Sequence, residues 1–163
     1  MKFEHFQMLV DMMFQPDGSG GVAQRYDNID VKQLSPLVLA YVGDAYFHLF
    51  VRTRLLSYEQ AQVRALHAFS AQIVSAVWQA RAYKGIEPML TDEEKGIYRR
   101  GRNAKSHAPR ATTVAIYHSS TGFEALLGSL YLSEQSQRLY DIAEASFEYI
   151  ARAMLAERQK GKN

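Results

Sequence analysis

The stretch Leu34-Ser-Pro-Leu-Val-Leu-Ala-Tyr-Val-Gly-Asp-Ala-Tyr-Phe-His-Leu-Phe-Val51 decides the fold. Ser35 followed by Pro36 is a helix start, with serine as the cap and proline at the first helical position, where its missing N–H costs nothing. From there the apolar spacing predicts a helix to about Leu56. It is apolar on most faces, too much for a surface helix buried on one side, and this points to a partner copy. Asp44 is the only charged residue in the run. A lone carboxylate on an apolar helix is costly to bury unless it is paired or binds a metal.

Outward from this stretch the periodicity stays helical. A short amphipathic helix fits residues 3–14, and a turn-rich linker follows over 15–22. A long second helix fits Glu59 to Tyr83, ending near Gly85. Thr91-Asp-Glu-Glu94 reads as a capping box opening a helix to about Asn103. The segment Ser106-His-Ala-Pro109 breaks it. Another helix starts at about Thr113 or Ser119 and reaches Leu132, and the last runs from about Glu134 to Glu157. The chain therefore reads as one all-α domain over 34–158, with an N-terminal extension over 1–33 and a frayed end over 159–163.

The chain has 163 residues, of which 47% are hydrophobic, enough for one domain with a real core. There is no cysteine. That excludes disulfides and thiolate metal sites and makes a cytoplasmic location the expectation. The N-terminus lacks the pattern of a secretory signal, and no apolar run reaches membrane-spanning length. No glycine-rich phosphate loop is present, so no nucleotide cofactor is expected.

A second solitary acid, Glu124, sits in Thr121-Gly-Phe-Glu-Ala-Leu-Leu-Gly-Ser-Leu-Tyr-Leu132. Gly43 precedes Asp44, and Gly128 lies one helical turn after Glu124. A helical glycine costs about 1 kcal/mol relative to alanine, so close approach of two backbones is a good reason for it. If the helices cross at these glycines, the two carboxylates meet. They would repel unless a cation lies between them. Mg²⁺ fits two carboxylates and leaves room for a phosphate. The alternative is a structural carboxylate bonded to a neighbouring helix or an arginine. His48 and His118 have no matching cluster for a softer metal. His67 and His118 read as packing or surface residues, Trp78 as packing, and Gly85 and Gly101 as loop glycines.

Charge is uneven although the net value is only +2. Between Glu94 and Glu124 there is no acid, while Lys95, Arg99, Arg100, Arg102, Lys105 and Arg110 are present. Such a patch reads as a polyanion-binding face, with a solvated basic loop as the plain alternative. The acid-free stretch Arg64 to Lys84 is a second candidate.

Tyr41-Val-Gly-Asp-Ala45 and Phe123-Glu-Ala-Leu-Leu-Gly128 resemble the two acidic motifs of the ribonuclease III catalytic domain, and more closely its small Mini-III subfamily. Ile73-Val-Ser-Ala76 and Arg100-Gly-Arg-Asn-Ala-Lys-Ser106 resemble the same subfamily. The resemblance covers roughly Leu34 to Leu132. It implies an all-helical homodimer that cuts double-stranded RNA with Mg²⁺, in maturation of large-subunit ribosomal RNA. Asp44 and Glu124 match the metal-binding acids. Tyr41 matches an aromatic plug in the dimer interface, and Lys105 and Ser106 match a loop close to the scissile strand. Where the broader family carries further acids, this chain has Leu37, Ala40 and Thr121. A second expectation is a non-catalytic double-stranded-RNA-binding or ribosome-assembly protein on the same scaffold.

Overall fold

The computed structural model describes residues 3–13, 18–21, 29–105 and 113–161. Among them are the helices α1 (Phe3–Met13), α2 (Pro36–Leu55), α3 (Val63–Ile73), α4 (Ala76–Ile86), α5 (Asp92–Arg102), α6 (Val114–Leu132) and α7 (Ser136–Lys160), and no strand. The all-α expectation holds. The chain divides into a unit over 1–32 and a unit over 33–163. In the first, α1 has no buried residue.

In the second unit, local signals set the helix starts. Ser35 Oγ accepts from the Leu37 N–H, and Pro36 is the first residue of α2. Thr91 Oγ1 accepts from the Glu94 N–H at 3.2 Å, and the Glu94 carboxylate accepts from the Thr91 N–H at 2.7 Å, a closed capping box. The long helix expected over 59–83 is two helices. Glu59 Oε1 accepts from the N–H groups of Ala61 and Gln62, a turn that delays α3 to Val63. Ser75 then turns to extended backbone (ψ 151°), and its carbonyl accepts from the Gln79 N–H to start α4. The bend lets Ile73, Val74 and Trp78 all bury in one core.

That core forms around α6, against which α2, α4, α5 and α7 pack. Phe123 on α6 meets Phe47 on α2 edge to face at 5.1 Å, and both are fully buried. Each such side chain contributes roughly 1.5–3 kcal/mol by leaving water. Helix α7 adds Leu139, Ile142, Ala143, Phe147 and Ile150, a single apolar stripe at helical spacing. Arg138 of α7 grips Glu94 of α5 with two hydrogen bonds, of 2.7 and 2.8 Å.

Two expected loop glycines are helical. Gly101 closes α5 at a crossing with α6, where a Cβ would stand 2.7 Å from the Ala125 Cβ and 2.9 Å from the Gly122 Cα. Gly85 lies in α4 beneath the Tyr149 ring.

Candidate active site

Helices α2 and α6 cross at the glycines that the sequence singles out. A Cβ on Gly43 would overlap the Glu124 carbonyl oxygen and stand 2.7 Å from the Gly128 nitrogen. A Cβ on Gly128 would overlap the Leu39 carbonyl oxygen. Only glycine permits this approach. Every residue of α6 from Ser120 to Leu130 is buried except Glu124, which is half-buried, so its side chain marks the one opening in that stretch. Asp44 follows Gly43, and its carboxyl group is close enough to Glu124 to act on it directly.

The electrostatics of the pair are unfavourable as the chain stands. Burial pushes the Glu124 carboxyl up to about 8, and the negative Asp44 beside it adds to the rise. Gln79 of α4 opposes it and favours the anion. Asp44 is half exposed, and His48 Nε2 lies 3.3 Å from its Oδ1, one turn along α2. His48 thus has an acid partner that the sequence reading did not give it.

These residues fit a hard divalent cation. The donor set is two carboxylates, and a cation between them removes both their repulsion and the reason for Glu124 to hold a proton. Gln79 supplies a further sign. It is 1% exposed, and neither its Nε2 nor its Oε1 makes a hydrogen bond of good geometry in the protein, although Glu124 is within reach. Among the described residues no group of three or more histidines and acids gathers in the manner of an all-protein metal cage. The positions of Leu37, Ala40 and Thr121 agree with that reduced set: Thr121 is buried and donates to the Tyr117 carbonyl at 3.0 Å. Mg²⁺ commonly keeps several waters and takes only one or two carboxylates, so the pair is a sufficient start.

Arg99, Arg100 and Arg102 form the last turn of α5, where positive charge also suits the helix dipole, and Lys105 follows; all four are exposed. Arg99 and Arg102 join Lys84 of α4 around a cleft of about 470 Å³ between α4, α5 and the start of α6. Tyr83 and Tyr98 stack at its wall, with ring centroids 3.3 Å apart. Arg100 turns elsewhere and donates to the Leu34 carbonyl at 3.2 Å. Ser106 and Arg110 lie outside the described residues. Tyr41 is 80% exposed, in an apolar stripe of α2 with Val38 and Leu49.

The sequence reading missed Gln79 and the pairing of His48. For His48 the signal was available, since it stands four residues after Asp44. For Gln79 it was an amide among apolar neighbours in Ala76-Val-Trp-Gln-Ala80.

Comparison with known proteins gives a consistent set of likenesses. The ribonuclease III domain family matches residues 37–135. A Mini-ribonuclease 3 of Symbiobacterium thermophilum is 46% identical over 120 residues, covering 73% of this chain and 92% of the relative. A Mini-ribonuclease 3 of a Thermoanaerobacter species is 46% identical over 121 residues, covering 74% of this chain and 85% of the relative. A crystal structure of a Fusobacterium nucleatum protein superposes with a TM-score of 0.65 at 31% identity, covering 73% of this chain and 96% of that one.

Proposed function

This chain belongs to the ribonuclease III family, and we propose that it is an endoribonuclease that cuts double-stranded RNA with Mg²⁺ held by Asp44 and Glu124. The observation that carries the reading is the meeting of two carboxyl groups at the Gly43–Gly128 crossing, where Glu124 has an acid beside it and a carboxyl pushed up to about 8. A protein that only bound RNA would gain nothing from acids that repel phosphate. A metal site needs both of them charged.

When bound, the ion supplies a counter-charge for the phosphate and the leaving oxygen and makes water a better nucleophile. The chain's own residues do the rest. Glu124 gives up its proton to become a ligand, and Asp44 holds the open side of the site. Arg99, Arg102 and Lys105, with Ser106 and Arg110 beyond the described residues, bind the sugar-phosphate backbone. A duplex is gripped through phosphates and 2′-hydroxyls because the A-form major groove is too narrow to read. Hydrolysis adds water across the bond between phosphorus and the 3′ oxygen, leaving a 3′-hydroxyl and a 5′-phosphate. The stripe around Tyr41 packs against a second copy, so that two sites related by a two-fold axis each cut one strand. The natural substrate in this reading is a precursor of large-subunit ribosomal RNA, cut in the cytoplasm.

Incubation with a long RNA duplex tests the core of this reading. Cleavage is expected with Mg²⁺ and none with excess EDTA, and Asp44→Asn should lower the rate on the order of 100-fold or more, the scale for losing a charge-stabilising group. Cutting that persists in EDTA, or a variant that keeps a tenth of the wild-type rate, would refute it.

A further inference from the structure

Gln79 is the one fully buried side-chain amide among the described residues, and the fold offers no reason for it. Around it α4 presents Trp78, Ala82, Tyr83 and Ile86 to apolar neighbours. It is 1% exposed, and both polar atoms are buried with no hydrogen bond of good geometry to the protein. A buried polar group left unpaired keeps its full desolvation penalty, and folded proteins seldom leave one so. A methionine would fill the same space at no such cost. The side chain lies beside Glu124, on which it acts in favour of the anion.

The two ends of the amide have different needs. Nε2 is a donor and suits a carboxylate. Oε1 is an acceptor, which a carboxylate cannot satisfy, so it needs a donor from another source. Glu124 is within reach of the amide but forms no hydrogen bond of good geometry with it, and no other protein group serves either end. A hydrated cation on Asp44 and Glu124 would serve both: a ligand carboxylate accepts from Nε2, and the waters of the ion are strong donors.

We propose that Gln79 is a positioning residue of the metal centre, its Nε2 donating to the Glu124 carboxylate and its Oε1 accepting from a water of the cation's hydration shell. The proposal rests on the reading of Asp44 and Glu124 as metal ligands. It makes Gln79 an outer partner that orients a ligand, a class whose loss typically costs 10- to 100-fold in metal affinity.

The test needs no RNA and no turnover. The thermal unfolding midpoint is followed in excess EDTA and then across a Mn²⁺ titration, Mn²⁺ standing in for Mg²⁺ at oxygen ligands. Wild type, Asp44→Asn and Gln79→Met are compared. In EDTA the Gln79→Met midpoint should equal or exceed wild type, because an unpaired amide has been removed. With Mn²⁺ it should need about 10- to 100-fold more metal for half of its rise. A half-saturation within threefold of wild type overturns the proposal, whatever the EDTA midpoint. If Gln79→Met does not fold, Gln79→Asn, which keeps both polar ends but cannot reach, carries the same criterion. If wild type does not respond to Mn²⁺, or Asp44→Asn responds equally, the metal reading itself fails and this proposal falls with it.

Discussion

Glu94 and Glu124 are two glutamates set into helices against the same core, in opposite electrostatic states. Glu94 accepts from Arg138 at 2.7 and 2.8 Å and from the Thr91 N–H at 2.7 Å. These bonds, that to Arg138 foremost, hold its carboxyl below the usual range. Glu124 has an acid for a neighbour and a carboxyl pushed up to about 8. The fold explains Glu94 completely: it caps α5 and ties α5 to α7. Nothing in the fold explains Glu124, which costs stability where it stands. A half-buried acid that the architecture does not use is a sign of function.

The comparison can be broken at its geometry first. Gly128→Ala would drive a Cβ into the Leu39 carbonyl oxygen, a backbone atom with little room to give. A loss of about 3 kcal/mol or more is expected, at the upper end for overpacking. Denaturant unfolding measures it, and a variant as stable as wild type would mean that the helices do not cross there.

Glu94→Gln comes next. It leaves Arg138 with a weaker partner and removes the charge from a side chain 7% exposed. Arg138 is 30% exposed, so the cost should fall to about 2 kcal/mol, below the range for a fully buried pair. Cleavage per folded molecule should not change. A variant with normal stability and poor cleavage would reverse the roles assigned to the two glutamates.

The smallest effect should come from Arg99, Arg102 and Lys105. If these cations neutralised Glu124, their removal would alter the metal-free protein. As phosphate contacts, their triple replacement by alanine should instead weaken duplex binding across many sequences and lower the salt slope by roughly one unit per lost contact. Binding titrations at two salt concentrations read this directly. An unchanged slope would move the contact surface to the Arg64–Lys84 stretch.

Much of this was legible locally. Ser35-Pro36 and Thr91–Glu94 announce their helices through capping chemistry that needs no tertiary context. Asp44 and Glu124 stand out because each is the sole charge of a long apolar run, Leu34–Val51 and Thr121–Leu132, and Gly43 and Gly128 because helical glycine wants a reason. What stayed hidden depends on distant parts of the chain. Arg138 lies 44 residues from Glu94, and no local pattern joins them. The break at Ser75 is one residue's change of backbone inside an unbroken apolar period. Gly101 reads as a loop glycine until α6 is laid across it. Gln79 carries no charge, and only the burial of its amide without a well-formed hydrogen bond distinguishes it from its apolar neighbours.

The most direct measurement is the unfolding midpoint of Glu124→Gln against wild type, in EDTA, between about pH 5 and pH 8.5. Glu124 has a folded pKa of about 8, raised from 4.5, so its contribution is fully present below 4.5 and is lost as pH rises toward 8. Glu94 has the opposite sign: its stabilisation is present above 4.5 and fades only as pH falls below that value. Metal-free wild type should therefore lose stability across the upper window, and Glu124→Gln should lose less. At pH 8.5 the variant, though inactive, should melt higher, by about 2–4 °C for each kcal/mol relieved. A variant that melts at or below wild type at that pH would contradict the claim that Glu124 is a cost the fold bears for its chemistry.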